Sequence, residues 1–255
     1  MIFNKLIKRF IYNNLVVKKS SKYNKNINLN TVIIGHNEGD SVRKIIECLP
    51  SDWHIVYVAD RCTDNTIELL LEYDNVTIIN TSRLNLSGRQ TSFCRNLGLY
   101  FTESDKDVLF LDGDRYVVSR NIRDILNDNS DITLLPLEKD GRNSDSFNIQ
   151  DTYGTVYNGF FSCGIKIKRD ALDKISKHEL LYRDNDIPQI FPEELQNVWG
   201  IEDTSLGDIC YDLGLSIDLD KSIKLYGEFE RFLVDSLDVI ERRFRFREKL
   251  RHIKW

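Results

Sequence analysis

Asp112 and Asp114 stand two residues apart at the end of the apolar run Val108-Leu-Phe-Leu111. Two carboxylates at that spacing, just past a buried strand, can share one hard cation. Oxygen ligands suit Mg2+ or Mn2+, and such a cation can bridge the phosphates of a nucleotide. By itself the pair is a weak signal, because acidic residues are frequent in turns. Its weight depends on what precedes it.

What precedes it is an alternation of strands and helices. Thr31–Gly35, His54–Ala59, Val76–Asn80 and Asp107–Leu111 read as short buried strands. Between them, Glu38–Leu49 (stopped by Pro50), Thr63–Tyr73 and Gly88–Thr102 read as helices. This alternation predicts an α/β fold, a mostly parallel sheet flanked by helices with right-handed crossovers. Ligands of such sheets bind beyond the carboxyl ends of the strands. The polar residues directly after the strands are therefore the first candidates: Asn37 and Glu38, Asp60, and Asp112 with Asp114. After Asp114 the regularity fades. Ile132–Pro136 reads as an outer strand, Lys139–Asn158 as a long polar loop and Phe160–Lys168 as a strand. Arg169–Lys177 and Glu202–Leu213 read as helices, with irregular chain at Leu181–Asn197.

The 255 residues are 41% hydrophobic and 29% charged, a balance that predicts a soluble globular protein and argues against wholesale disorder. No apolar run is long enough to span a membrane, and Lys5, Lys8 and Arg9 break the first apolar stretch, so no signal peptide is expected. The five cysteines are widely spaced and form no CxxC pair. Neither a zinc site nor a disulfide framework is expected, and a cytoplasmic, reducing location is.

Charge is unevenly spread. Residues 1–25 carry seven Lys/Arg and no Asp/Glu, and residues 242–255 carry seven Lys/Arg and one Glu, although the whole chain has a net charge of -5. Ile2, Phe3, Leu6, Ile7, Phe10 and Ile11 recur at helical spacing between cationic residues. Phe229, Phe232, Leu233, Leu237, Ile240 and Phe244 repeat the theme near the other end. The pattern predicts basic amphipathic helices at 1–27 and 229–255 around one catalytic domain at 28–228. Such helices suit the inner face of an anionic membrane, or they are ordinary solvated helices docked on the body.

The motifs together resemble those of family 2 glycosyltransferases. Thr31-Val-Ile-Ile-Gly-His-Asn-Glu38 is similar to the family's first strand and Asn-Glu turn. Tyr57-Val-Ala-Asp-Arg-Cys-Thr-Asp-Asn-Thr66 is similar to its VDDGSTDNT segment, and Gly88-Arg-Gln-Thr-Ser-Phe-Cys-Arg-Asn-Leu-Gly98 to its helix ending in ARNxG. Leu109-Phe-Leu-Asp-Gly-Asp114 resembles the metal motif, and Trp199-Gly-Ile-Glu-Asp-Thr-Ser-Leu-Gly207 the acceptor-side motif. Five motifs in family order are far more specific than any one.

The resemblance implies a GT-A fold and a role for each matched residue. Asp60 would hold the base of a nucleotide-sugar donor, a UDP-sugar, with Asn37 and Glu38 lining the nucleotide pocket and Arg89 meeting nucleotide or phosphate. Asp112 would contact ribose or metal, and Asp114 would be the firmer ligand of Mn2+ or Mg2+. Asp203 would be the general base, Glu202 would help bind the acceptor, and Trp199 and Gly200 would shape the acceptor wall. The Glu202-Asp203 pair also has a structural reading, since acids favour a helix N-terminus.

Some positions depart from the family. Gly35-His36 replaces Ala-Tyr, Ala59 replaces the first acid of the DD pair, and Arg61-Cys62 replaces Gly-Ser. The QxxRW motif of processive synthases is absent, which points to transfer of one sugar to a glycan or a lipid-linked saccharide. Two alternatives carry less weight: a transferase acting on a modified base in DNA, and a non-catalytic nucleotide-sugar-binding module. The acidic body argues against a broad nucleic-acid footprint. Retention of Asp112, Asp114 and Asp203 together argues against a non-catalytic module.

Overall fold

The computed structural model describes residues 9–88, 90–118, 121–139, 142–143, 163–181, 189–192, 201–220 and 222–226. Its centre is an eight-stranded sheet. In chain order the strands are β1 (Val16–Lys18), β2 (Leu29–Gly35), β3 (His54–Ala59), β4 (Val76–Asn80), β5 (Asp107–Asp112), β6 (Tyr116–Val117), β7 (Ile132–Leu134), β8 (Leu137–Lys139), β9 (Arg142–Asn143), β10 (Ile165–Ile167), β11 (Ile217–Leu219) and β12 (Leu225–Tyr226). The large sheet runs β1-β4-β3-β2-β5-β10-β7-β11, and β6-β12-β8-β9 form a smaller one. Strands β4, β3, β2 and β5 are mutually parallel. Residues 9–13 are helical, and the α-helices that follow are α1 (Ser41–Glu47), α2 (Thr66–Leu70), α3 (Thr91–Tyr100), α4 (Arg169–Ser176) and α5 (Ile201–Asp212). The expected α/β sheet flanked by helices is present.

The central strands are apolar throughout because both faces are covered. Alternate residues feed two cores. Val32, Val56, Val58 and Phe110 join Leu97 and Leu206 on one side. Ile33, Ile55, Tyr57, Leu109 and Leu111 join Val42, Ile45 and Leu70 on the other. Helix α3 lies across β2 and β3 so closely that a Cβ at Gly98 would come 2.4 Å from Val32 Cγ1.

Register sets the site. Ile34 is opposite Asp112, and Gly35 is opposite Ala59. The chain segments leaving β2, β3 and β5 therefore emerge side by side at one end of the sheet.

Several elements differ from expectation. Ile132–Leu134 is not an outer strand: β10 lies on one side of it and β11 on the other. Strand β11 is only Ile-Asp-Leu, too short to show a period in the sequence. Lys139 ends β8 and pairs with Arg142 of β9, so a hairpin opens the stretch read as loop. Residues 16–18, inside the basic segment, form the edge strand β1, antiparallel to β4. Leu15 is buried, and Asn80 N–H donates to its carbonyl at 2.9 Å. Further along, the Tyr23 ring stacks on His54 with centroids 4.5 Å apart, and Lys106 Nζ donates to the carbonyls of Lys25 and Ile27. Ahead of β1, Tyr12 meets Phe93 and Tyr100 edge-on, while Phe10 is 71% exposed. The remainder of the two amphipathic stripes, residues 1–8 and 227–255, lies outside the described residues.

Candidate functional site

Three turns meet at the carboxyl ends of β2, β3 and β5. The turn after β2 passes through left-handed backbone at Asn37 (φ 57°) and Gly39 (φ 48°). Asn37 Oδ1 accepts from Thr63 N–H at 2.7 Å, which fastens this turn to the one after β3. Glu38 folds back so that its Oε1 accepts from His36 N–H at 3.1 Å. Burial pushes the Glu38 carboxyl up to about 7, and the charges of Asp114 and Asp112 add to the rise. Beneath it lies the Tyr57 hydroxyl, which has no hydrogen-bond partner among the described residues. Both flanking glycines make room. A Cβ at Gly35 would stand 2.1 Å from Tyr57 Oη, and one at Gly113 would stand 2.7 Å from it.

Asp112 closes β5 and Asp114 lies two residues beyond it. Asp114 pairs with Arg115 Nη1 at 2.8 Å. Desolvation and the neighbouring charge of Asp112 raise its carboxyl above the ordinary range. Glu38 and Asp114, both beside Asp112, thus resist ionisation, the condition a divalent cation relieves. No group of three His, Cys, Asp or Glu among the described residues forms a ready metal cage. A cation held by Asp112 and Asp114 would need further oxygens, of the kind a diphosphate supplies.

Asp60 reaches the same end of the sheet, but not as a bare carboxylate. Arg61 Nε and Nη2 donate to its two oxygens at 2.8 and 2.7 Å, and Thr81 Oγ1 donates at 3.0 Å. Arg61 itself sits at φ 52°, where the family pattern has glycine, and also donates to the carbonyls of Leu86 and Gly88.

The second half of the site is brought in by α3. Arg95, 3% exposed, donates from Nη2 to Asp112 Oδ1 at 2.7 Å. Its Nη1 lies 3.9 Å from Asp203 Oδ1 on α5. The Phe191 ring covers the guanidinium, 5.4 Å from its carbon to the ring centroid. The next residue, Asn96, accepts from the N–H groups of Ile190 and Phe191 and donates to Phe191 O at 2.8 Å.

The structure therefore brings together Asn37, Glu38, Asp60, Asp112, Asp114 and, through Arg95, Asp203. Glu202 lies on α5 beside Asp203, and its side chain lies outside the described residues, as do Arg89, Trp199 and Gly200. Sequence reasoning missed Arg95 and Arg61. The available signal for Arg95 was its helical spacing from Ser92 and Leu99, both buried, which sets a cation on the inward face of α3.

Comparison with family models finds no match, and comparison with curated protein sequences finds none either. Solved structures do match. The chain is similar to GalNAc-T7, solved with UDP, GalNAc and Mn2+, at a TM-score of 0.56 and 15% identity, over 89% of this chain and 48% of that one. It is also similar to the mannosyltransferase PcManGT of Pyrobaculum calidifontis, solved with GDP-Man and Mn2+, at a TM-score of 0.56 and 14% identity, over 89% of this chain and 65% of that one. The chain thus spans about half the length of the first and about two thirds of the second. At these identities the likeness is one of fold, and the fold is GT-A.

Proposed function

We propose that this GT-A chain is a metal-dependent glycosyltransferase. It would move one sugar from a nucleoside diphosphate sugar, a UDP-sugar, to a hydroxyl of a glycan or lipid-linked saccharide. The observation that carries the reading is the buried Arg95 pairing with Asp112 and facing Asp203, so that a donor-side acid and an acceptor-side acid share one guanidinium. A binding module needs the first acid and has no use for the second.

Asp60 and Asn37 would receive the nucleoside, with Arg89 meeting nucleotide or phosphate. Asp112 and Asp114 would hold Mn2+ or Mg2+, which when bound offsets the charge gained by the departing diphosphate. A sugar hydroxyl is a poor nucleophile near neutral pH, so Asp203 would take its proton as the oxygen attacks the anomeric carbon. The bond to the diphosphate breaks with its electron pair, and direct displacement inverts the anomeric centre. Glu202, Trp199 and Gly200 would orient the acceptor. The basic ends, ahead of the edge strand β1 and beyond residue 228, would dock on the anionic inner face of a membrane, which suits a lipid-linked acceptor.

The test is a donor screen. The full chain is incubated with UDP-, GDP- and TDP-sugars, with Mn2+ or with EDTA, and nucleotide release is measured. Release confined to one base and to the Mn2+ samples is expected. Equal release with EDTA, or none with any donor, overturns the reading.

A further inference from the structure

We propose that Arg95 is a positioning residue that couples the donor half of the site to the acceptor half. The inference rests on the reading of Asp112 and Asp114 as cation ligands and of Asp203 as the base. A guanidinium is a planar fork that stays charged at any working pH. This one has Asp112 at 2.7 Å on one nitrogen and Asp203 at 3.9 Å on another. It is also held in place. Phe191 covers its face, and Asn96 fixes the backbone that carries Phe191.

In so buried a setting the share of the positive charge felt by one carboxylate depends on the state of the other. The observed geometry favours Asp112. A cation arriving at Asp112 repels the guanidinium and draws on the same carboxylate charge. More of the attraction of Arg95 then reaches Asp203, which is held turned inward. The acceptor-side acid would thus be set in place when the donor site is loaded, which favours binding of donor before acceptor. Linkage makes the effect reciprocal: whatever changes the charge at position 203 must change cation affinity at position 112.

That reciprocity gives a test without turnover. Affinity for UDP with Mn2+ is measured by calorimetry on the full chain in four forms: wild type, Asp203→Asn, Arg95→Met and the double variant. Thermal melts confirm that each is folded. In the wild-type background Asp203→Asn shifts Arg95 toward Asp112, and UDP–Mn2+ affinity is expected to fall about fivefold, the lower end of ordinary coupling between sites. With Met at position 95 the same change should have no effect on affinity. If Arg95→Met does not fold, Arg95→Lys replaces it: an ammonium lacks the planar fork whose separate nitrogens face the two carboxylates, so the effect of Asp203→Asn should shrink there too. An equal effect in both backgrounds would mean that Asp203 acts on the cation directly through space, and the coupling role falls. Absence of any effect in the wild-type background overturns it as well. Failure of folded wild type to bind UDP with Mn2+ would overturn the donor-site reading itself, and the coupling with it.

Discussion

Arg61 grips the carboxylate of its own chain neighbour, Asp60, through two nitrogens at 2.8 and 2.7 Å. To do so it holds φ at 52°, a conformation that favours glycine. The expected base-binding acid is thus already engaged before any nucleotide arrives. Arg61→Gly relieves the backbone and releases Asp60 from the guanidinium, with the Thr81 hydroxyl still donating to it. Tighter UDP binding, by severalfold, is expected in titrations with Mn2+, with a melting temperature close to wild type. Weaker UDP binding in this variant would mean that Arg61, and not Asp60, meets the nucleotide.

Asp114→Asn removes a ligand charge at a side chain that is 49% exposed, so the fold should be little affected. Nucleotide release from a donor sugar should fall by orders of magnitude, and added Mn2+ should restore little of it. Wild-type rates from this variant in metal-stripped buffer would show that Asp112 and Asp114 hold no cation.

Asp203→Asn keeps the size of the side chain and loses its ability to accept a proton. Turnover should fall by about 10²–10⁴-fold, the range of a lost general base. Single-turnover kinetics would locate the loss in the chemical step. An unchanged chemical step would move the base elsewhere.

The Glu38 carboxyl stands at about 7, raised by burial first and by Asp114 and Asp112 after it. A cation favours the ionised cluster, so Mn2+ affinity should rise with pH across the range around 7 and level off above it. The stability effect has the opposite sign. The folded state holds a proton that the unfolded chain has released, so metal-free stability should fall as pH rises from about 4.5 toward 7. Melts of wild type and Glu38→Gln over this range should differ in slope, the variant being flatter. Parallel curves would show that Glu38 titrates normally.

Gly98→Ala tests the seat of α3. The added Cβ would stand 2.4 Å from Val32 Cγ1, and a strand side chain in a filled core has little room to yield. A loss of about 1–3 kcal/mol in denaturant unfolding is expected, the range for overpacking. Because α3 carries Arg95, activity should fall as well. Unchanged stability would mean that the helix shifts freely on the sheet.

The central strands were legible because two covered faces demand unbroken apolar runs: His54–Ala59 and Val76–Asn80 have the bounds their residues suggest. The helix after β2 starts later than Glu38, because residues 36–40 are spent on a turn with two left-handed residues. Strands of two or three residues, such as β6, β11 and β12, are too short to carry a period, and the smaller sheet went unseen with them. Of the candidate site, Glu38, Asp60, Asp112 and Asp114 were legible because they close strands or follow them directly, and Asp203 only through its motif. Arg95 was not, since an arginine in a helix ordinarily faces water. Its role exists only once α5 has delivered Asp203 to the same place.

The join between β1 and β4 bears on how the basic N-terminus could work. Deleting residues 1–25 would do more than trim a tail. It would strip the sheet of its edge strand and leave the backbone of β4 open to pairing with other chains, and it would also remove the ring stacked on His54. With Leu15 in the core and only a short reach from there to Phe10, the exposed aromatic has almost no slack. A surface that captured Phe10 would not hold the protein on a leash. It would act as a jig, fixing the tilt of the whole sheet and the direction in which its acidic end opens.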